Sequence, residues 1–84
     1  MNACVYILEC GDGSLYTGWT NDIQKRLAAH RAGSGSRYTR SRLPVALRYV
    51  EPCGDRRRAM ARECEIKALS RADKLRLIDM HPLE

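Results

Sequence analysis

Two apolar blocks open the chain, "ACVYILE" at 3–9 and "LYTGWT" at 15–20, with "CGDGS" between them. β-Branched and aromatic side chains enrich both blocks, and the glycines flanking Asp12 mark a turn, so the pattern predicts a β-hairpin. Its register decides the relation of Tyr6 to Tyr16. With Asp12-Gly13 as a two-residue turn, Tyr6 lies opposite Trp19 and Tyr16 opposite Glu9, and strand alternation sends the two phenols to opposite faces. A shared face needs a loop with an odd number of residues, such as a three-residue "GDG" loop.

Helical spacing follows at once. Ile23 and Leu27 form an i, i+4 apolar pair with Ala28 alongside. Asn21 is placed to cap this helix, Gln24 falls three residues later as in a capping box, and Gly33 supplies the stop. Residues 33–44, "GSGSRYTRSRLP", interleave glycine, serine and arginine and read as a loop. In "VALRYVE", 45–51, Val45, Leu47 and Tyr49 alternate with Ala46, Arg48 and Val50, which predicts a third strand ended by Pro52 to Gly54. Asp55 caps a second long helix over 56–69. A short last helix begins at Ser70 or Asp73 and runs through Leu75 and Ile78 until Pro82. The order is ββαβαα, an α+β fold with a small three-stranded antiparallel sheet flanked by helices.

Eighty-four residues suit a single domain, 1–84, and 44% apolar with 30% charged residues is a globular balance. No apolar run approaches the ~18–20 residues of a membrane span, and the start lacks the pattern of a signal peptide, so a cytoplasmic location is expected. Cys4, Cys10, Cys53 and Cys64 contain no C-x-x-C pair and, with His30 and His81, complete no zinc pattern, so free thiols are expected.

Charge changes the picture more than composition does. The net charge is +5, from 15 basic and 10 acidic residues. No acidic residue lies between Asp22 and Glu51, whereas Lys25, Arg26, Arg31, Arg37, Arg40, Arg42 and Arg48 all do. Lysine occurs only at 25, 67 and 74; the other basic residues are arginines, whose planar fork matches phosphate oxygens. Such a flank suits a polyanion, although a solvated basic surface has the same composition.

Three groups of residues stand apart from the scaffold. Tyr6 and Tyr16 occupy the two hairpin arms. Arg26 and His30 are one turn apart on helix one, on a different face from Ile23 and Leu27. Glu63 falls on the stripe of Ala59 and Ile66, where a carboxylate is costly unless paired. Each has a plain alternative: strand tyrosines as packing, a solvated helix face, and a surface Glu63–Lys67 pair of ~0.3–0.5 kcal/mol.

In order and spacing these segments resemble the GIY-YIG nuclease superfamily, in particular its small bacterial single-domain members of the UPF0213 type. "VYI" at 5–7 and "YTG" at 16–18 stand where the family has its two triplets. "RLAAH" at 26–30 is similar to its arginine helix, "GSGSRYT" at 33–39 to its glycine-containing loop, and "ECEIKAL" at 63–69 to its glutamate helix. The resemblance implies hydrolysis of phosphodiester bonds with one divalent ion, Mg²⁺ or Mn²⁺, held by Glu63. It casts Arg26 as the group facing phosphate oxygens, Tyr6 as general base or water-orienting group, and Tyr16 and His30 as holders of that network. Gly18 would keep the backbone close to a neighbour or to substrate. It also implies that the two-residue turn is not the one used.

The implied partner is nucleic acid, DNA rather than RNA, with Arg31, Arg37, Arg40 and Arg42 toward phosphates and Tyr38 toward a base. The implied role is a structure- or damage-directed endonuclease, as in DNA repair. A tyrosine base with a reference pKa of ~10 makes activity rise with pH above neutrality. Trp19 follows the second triplet where some members carry lysine, and no asparagine follows Glu63. Those departures define the alternative, a nucleic-acid-binding module that kept the fold without the chemistry.

Overall fold

The structure is a computed structural model and describes residues 2–83. The elements are β1 (Ala3–Glu9), β2 (Leu15–Thr20), α1 (Ile23–Arg31), α2 (Arg37–Arg40), β3 (Ala46–Gly54), α3 (Arg56–Lys67) and α4 (Arg71–Met80). The strands form one antiparallel sheet in the order β2-β1-β3. The order ββαβαα holds, with α2 added as a single helical turn inside the stretch expected to be a loop. Ser36 makes that turn possible: its side chain accepts from the Thr39 amide at 3.1 Å.

The hairpin does not use a two-residue turn. Glu9 pairs with Leu15, Leu8 with Tyr16 and Tyr6 with Gly18. The Gly13 N–H donates to the Cys10 carbonyl at 2.9 Å and the Cys10 N–H to the Ser14 carbonyl at 2.8 Å. Gly13, at φ +84°, takes the left-handed position that closes a three-residue Gly11-Asp12-Gly13 loop. That one extra residue sets the parity. Tyr6 and Tyr16 share a face of the sheet.

The third strand departs from the expected alternation. Ile7 pairs with Tyr49 but Leu8 pairs with Leu47, so Arg48 is an extra residue in a bulge. Tyr49 therefore turns to one core while Val45 and Leu47 turn to the other. Nor does Pro52 end the strand. β3 continues to Gly54, with Pro52 opposite Cys4 and a second register shift beside it. A proline is compatible with this position because β3 is an edge strand.

β1 is buried on both faces and divides two cores. On one side Ala3, Val5 and Ile7 meet Tyr49, Ala59 and Ile66 of α3, and Ile78 of α4. On the other Tyr6, Leu8, Cys10 and Val45 meet Ile23 and Leu27 of α1. Asp22, not Asn21, caps α1, because its Oδ1 accepts from the Lys25 amide at 3.1 Å. Gly33, also at φ +84°, ends the helix region: Gly33 N–H reaches the His30 carbonyl at 3.1 Å and Ser34 N–H the Ala29 carbonyl at 2.9 Å. Asp55 caps α3 and Ser70 caps α4, and α3 stops at Lys67, two residues before the expected end. All four cysteines are free thiols, Cys4 and Cys10 buried and Cys64 exposed. Among the described residues no helix is long and apolar enough to cross a membrane.

Candidate active site

The shared face brings Tyr6 and Tyr16 together, with ring centroids 6.4 Å apart. Tyr6 is buried, and its phenol lies over the backbone of its strand neighbour Gly18. A Cβ at position 18 would stand 2.6 Å from the Tyr6 oxygen and 2.7 Å from Cζ, so only glycine leaves room for the ring.

His30, fully buried near the end of α1, meets both tyrosines. Its Nε2 is 2.8 Å from the Tyr6 hydroxyl and its Nδ1 is 2.8 Å from Thr39 Oγ1. Thr39 is itself buried, and its hydroxyl lies 2.9 Å from Ser36 Oγ. A neutral imidazole has one donor and one acceptor nitrogen, so this ring transmits hydrogen-bond polarity between Tyr6 and Thr39. Gly35 backs the imidazole so closely that any Cβ there would overlap the ring. Ser36, Thr39 and Gly35 belong to the site, and the amino-acid pattern alone does not single them out.

α2 closes one side. Tyr38 stacks on Tyr16 with centroids 5.9 Å apart and ring planes 27° from parallel. The Arg42 guanidinium sits 3.8 Å above the Tyr38 ring, donates from Nη1 to the Tyr38 carbonyl at 2.9 Å, and donates from Nε to Asp12 Oδ2 at 3.1 Å. Arg42 thus ties α2 to the hairpin turn, a cation–π and ion-pair clamp, instead of standing free. Arg31, Arg37 and Arg40 are exposed and form no ion pair among the described residues.

Arg26 and Glu63 reach the tyrosine through their fields. Arg26 is exposed on α1, one turn before His30. Glu63 comes from α3, between the fully buried Ala59 and Ile66, and keeps 19% of its side chain exposed. Its Oε2 lies 3.7 Å from Lys67 Nζ, the surface pairing that helical spacing allows. Burial, then the neighbouring Tyr16, raise the Tyr6 phenol well above the usual tyrosine range; Arg26 opposes this and Glu63 adds to it. Burial, then Arg26, lower the His30 imidazole from its ordinary value. His30 is therefore neutral at neutral pH.

That shift has a consequence for stability. The unfolded chain takes a proton on His30 near pH ~6.5, whereas the folded chain resists it. Stability is thus full above ~6.5 and declines as pH falls through the folded value, because the unfolded state binds more protons. Urea unfolding at pH 7 and pH 5 should show a smaller acid loss in His30→Gln than in the wild type. Equal losses would exclude His30 as the source.

Among the described residues no three of His, Cys, Asp and Glu converge to hold a metal. Glu63, on the α3 side of the sheet, is the carboxylate whose charge reaches Tyr6, and it would be the residue to hold a divalent ion there. That donor fits magnesium, which keeps several waters and takes further oxygens from phosphate.

Known proteins are similar to this chain along most of its length. The GIY-YIG catalytic domain model matches residues 2–76. A UPF0213 protein of Halobacterium salinarum is 54% identical over 70 residues, covering 83% of this chain and 91% of that one. One from Bacillus cereus is 54% identical over 71 residues, 84% of this chain and 74% of that one. The solution NMR structure of a UPF0213 protein from Bacillus halodurans superimposes with a TM-score of 0.64 at 44% identity, covering 98% of this chain and 87% of that one. An NMR structure of a protein from E. faecalis gives 0.63 at 31% identity, covering 100% and 93%. With the tyrosines of both triplets on one face and a family match over nearly its whole length, the chain belongs to the GIY-YIG nuclease family, among relatives named UPF0213 proteins.

Proposed function

We propose that the protein is a divalent-metal-dependent endonuclease hydrolysing phosphodiester bonds in DNA. The observation that carries this reading is the convergence on the Tyr6 hydroxyl: His30 bonded to it, Gly18 shaped to it, and the charges of Arg26 and Glu63 acting on it. In this reading the Tyr6 hydroxyl orients the attacking water and His30 Nε2 takes the proton. A buried phenol is a poor place to leave a negative charge, so transfer to a neutral imidazole avoids a free phenolate. Thr39 and Gly35 hold the ring that receives it, and Tyr16 packs its edge. Arg26 faces the phosphate oxygens, a charge-assisted donor where negative charge develops. A magnesium ion at Glu63 would supply charge stabilisation for the phosphate and the departing oxygen.

The basic segment 31–40 supports a nucleic-acid partner. Arg31, Arg37 and Arg40 are the exposed candidates for phosphate contact, while Tyr38 and Arg42 are engaged with Tyr16 and Asp12 at the edge of the site. DNA is proposed over RNA, with selection by structure or damage, because the exposed Arg31, Arg37 and Arg40 suit phosphate, which carries no sequence information.

Cleavage of labelled single-stranded, duplex, flap and branched DNA, in Mg²⁺ or Mn²⁺ and in EDTA, tests the reading. Cutting is expected with metal and abolished by EDTA, and Tyr6→Phe should lower the rate on the order of 10²-fold. With His30 as proton acceptor, activity rises through its depressed pKa, below ~6.5, and is level from pH 7 to 9. A continued rise above neutrality would instead identify a lone phenol as base. Binding of DNA without cleavage of any substrate would leave a binding module.

A further inference from the structure

Along α1, reaching the turn before His30, lies a cavity of about 300 Å³ lined by Thr20, Asn21, Asp22, Lys25, Arg26 and Ala29. Four of these residues, Asp22, Lys25, Arg26 and Ala29, recur at the i, i+3, i+4, i+7 spacing of one helix face, so the wall is a single side of α1 and its cap. Arg26 is shared with the candidate active site, since it stands one turn from the His30 that bonds Tyr6. The cavity is therefore the continuation of that site along α1.

Its lining carries two cations without an ion-pair partner among the described residues. Arg42, Arg48, Arg58, Arg62, Lys67 and Arg76 each pair with a carboxylate. Lys25 and Arg26 form no ion pair among the described residues, although Asp22 is less than one turn away from Lys25. Asp22 Oδ1 is engaged with the Lys25 amide instead, as the cap of α1. Two cations against one committed carboxylate leave a net positive lining. Ala29, the smallest side chain of the stripe, keeps the space open. At the lower end of the size range of small-molecule sites, the cavity has room for one nucleotide unit and not for a duplex.

We infer that this cavity is a subsite for the nucleotide flanking the scissile phosphate, with Lys25 as the cation that receives the neighbouring phosphodiester. The inference rests on the nuclease reading and names a residue that reading leaves out. Arg26 then stands between the two phosphates, and Lys25 fixes which bond of the strand reaches Tyr6. Lys25 is a positioning residue. Its loss raises KM more than it lowers kcat, because the contact is made equally in ground and transition states.

The test is an ¹H–¹⁵N NMR titration with the trinucleotide dTpTpT in EDTA, where no cleavage proceeds. The largest amide shifts are expected from Thr20 to Ala29. Lys25→Gln should weaken binding about 5–10-fold and reduce the salt slope by about one. Arg71→Gln, which removes one exposed cation from α4, should change affinity less than about twofold. Ala29→Leu, which fills the cavity and leaves the charge unchanged, should match the loss in Lys25→Gln, its fold being visible in the same spectra. Equal losses for Lys25→Gln and Arg71→Gln overturn the inference, as does wild-type binding by Ala29→Leu. Shifts confined to residues 31–42, or none at all, also overturn it. Wild-type cleavage in Mg²⁺ decides the nuclease reading separately in every case.

Discussion

Glu63→Gln is expected to lower metal-dependent cleavage about 10³-fold at saturating Mg²⁺ while the protein stays folded. Glutamine keeps the size of the side chain and removes its charge. The structural cost is small, because Glu63 contributes one partly exposed contact to Lys67, of a kind worth ~0.3–0.5 kcal/mol on a helix. The chemical cost is large. In the proposed reading a magnesium ion held by Glu63 would lose its charged anchor, and 10³ corresponds to ~4 kcal/mol of transition-state stabilisation. The side effect on Tyr6 runs the other way: Glu63 raises the phenol, so its removal eases deprotonation. A loss of activity therefore cannot be assigned to a stiffer tyrosine. Rates measured against Mg²⁺ concentration decide the matter, and a variant within tenfold of wild type at saturation would remove Glu63 from the role of ligand.

Gly18→Ala is the second large effect, and it acts through space alone. Position 18 does not need glycine for its backbone; it needs glycine because a Cβ would stand 2.6 Å from the Tyr6 oxygen. The ring is buried and bonded to His30, so it has little free path. Forcing it aside should cost ~1–3 kcal/mol of stability, as overpacking does. It should also lower cleavage on the order of 10²-fold, since a displacement of ~1 Å is enough to spoil a reacting geometry. Tyr6→Phe in the same chain should not restore stability, because Cζ still meets the new methyl at 2.7 Å. Tyr6→Leu should restore part of it without restoring activity, and the double-mutant cycle measures that coupling. Wild-type stability and rate in Gly18→Ala would show that the cradle is not tight.

Glu63 and the two hairpin tyrosines are the parts of the site that the amino-acid pattern makes legible. Glu63 announces itself because a carboxylate on an apolar helical stripe needs a reason, and α3 does bury Ala59 and Ile66 on either side of it. The parity of Tyr6 and Tyr16 is a clean alternative between two loops, and the pairing of Glu9 with Leu15 decides it. Thr39 and Gly35 carry no such mark. A threonine in a polar segment reads as solvated, and its burial arises only when α2 folds back over His30. The bulge at Arg48 is equally hidden, since an alternating strand and a bulged one share the same local composition.

That bulge has a meaning beyond the two cores. As the terminal strand of the sheet, β3 offers a row of amides and carbonyls to any second chain that drifts alongside. Two register shifts twist this row, and Pro52 withdraws one donor from it. An incoming strand can match only a few consecutive residues before losing step. The irregularities that spoil a simple reading of 45–54 thus guard a small basic protein against ribbon-like self-association when it is crowded on a common polymer.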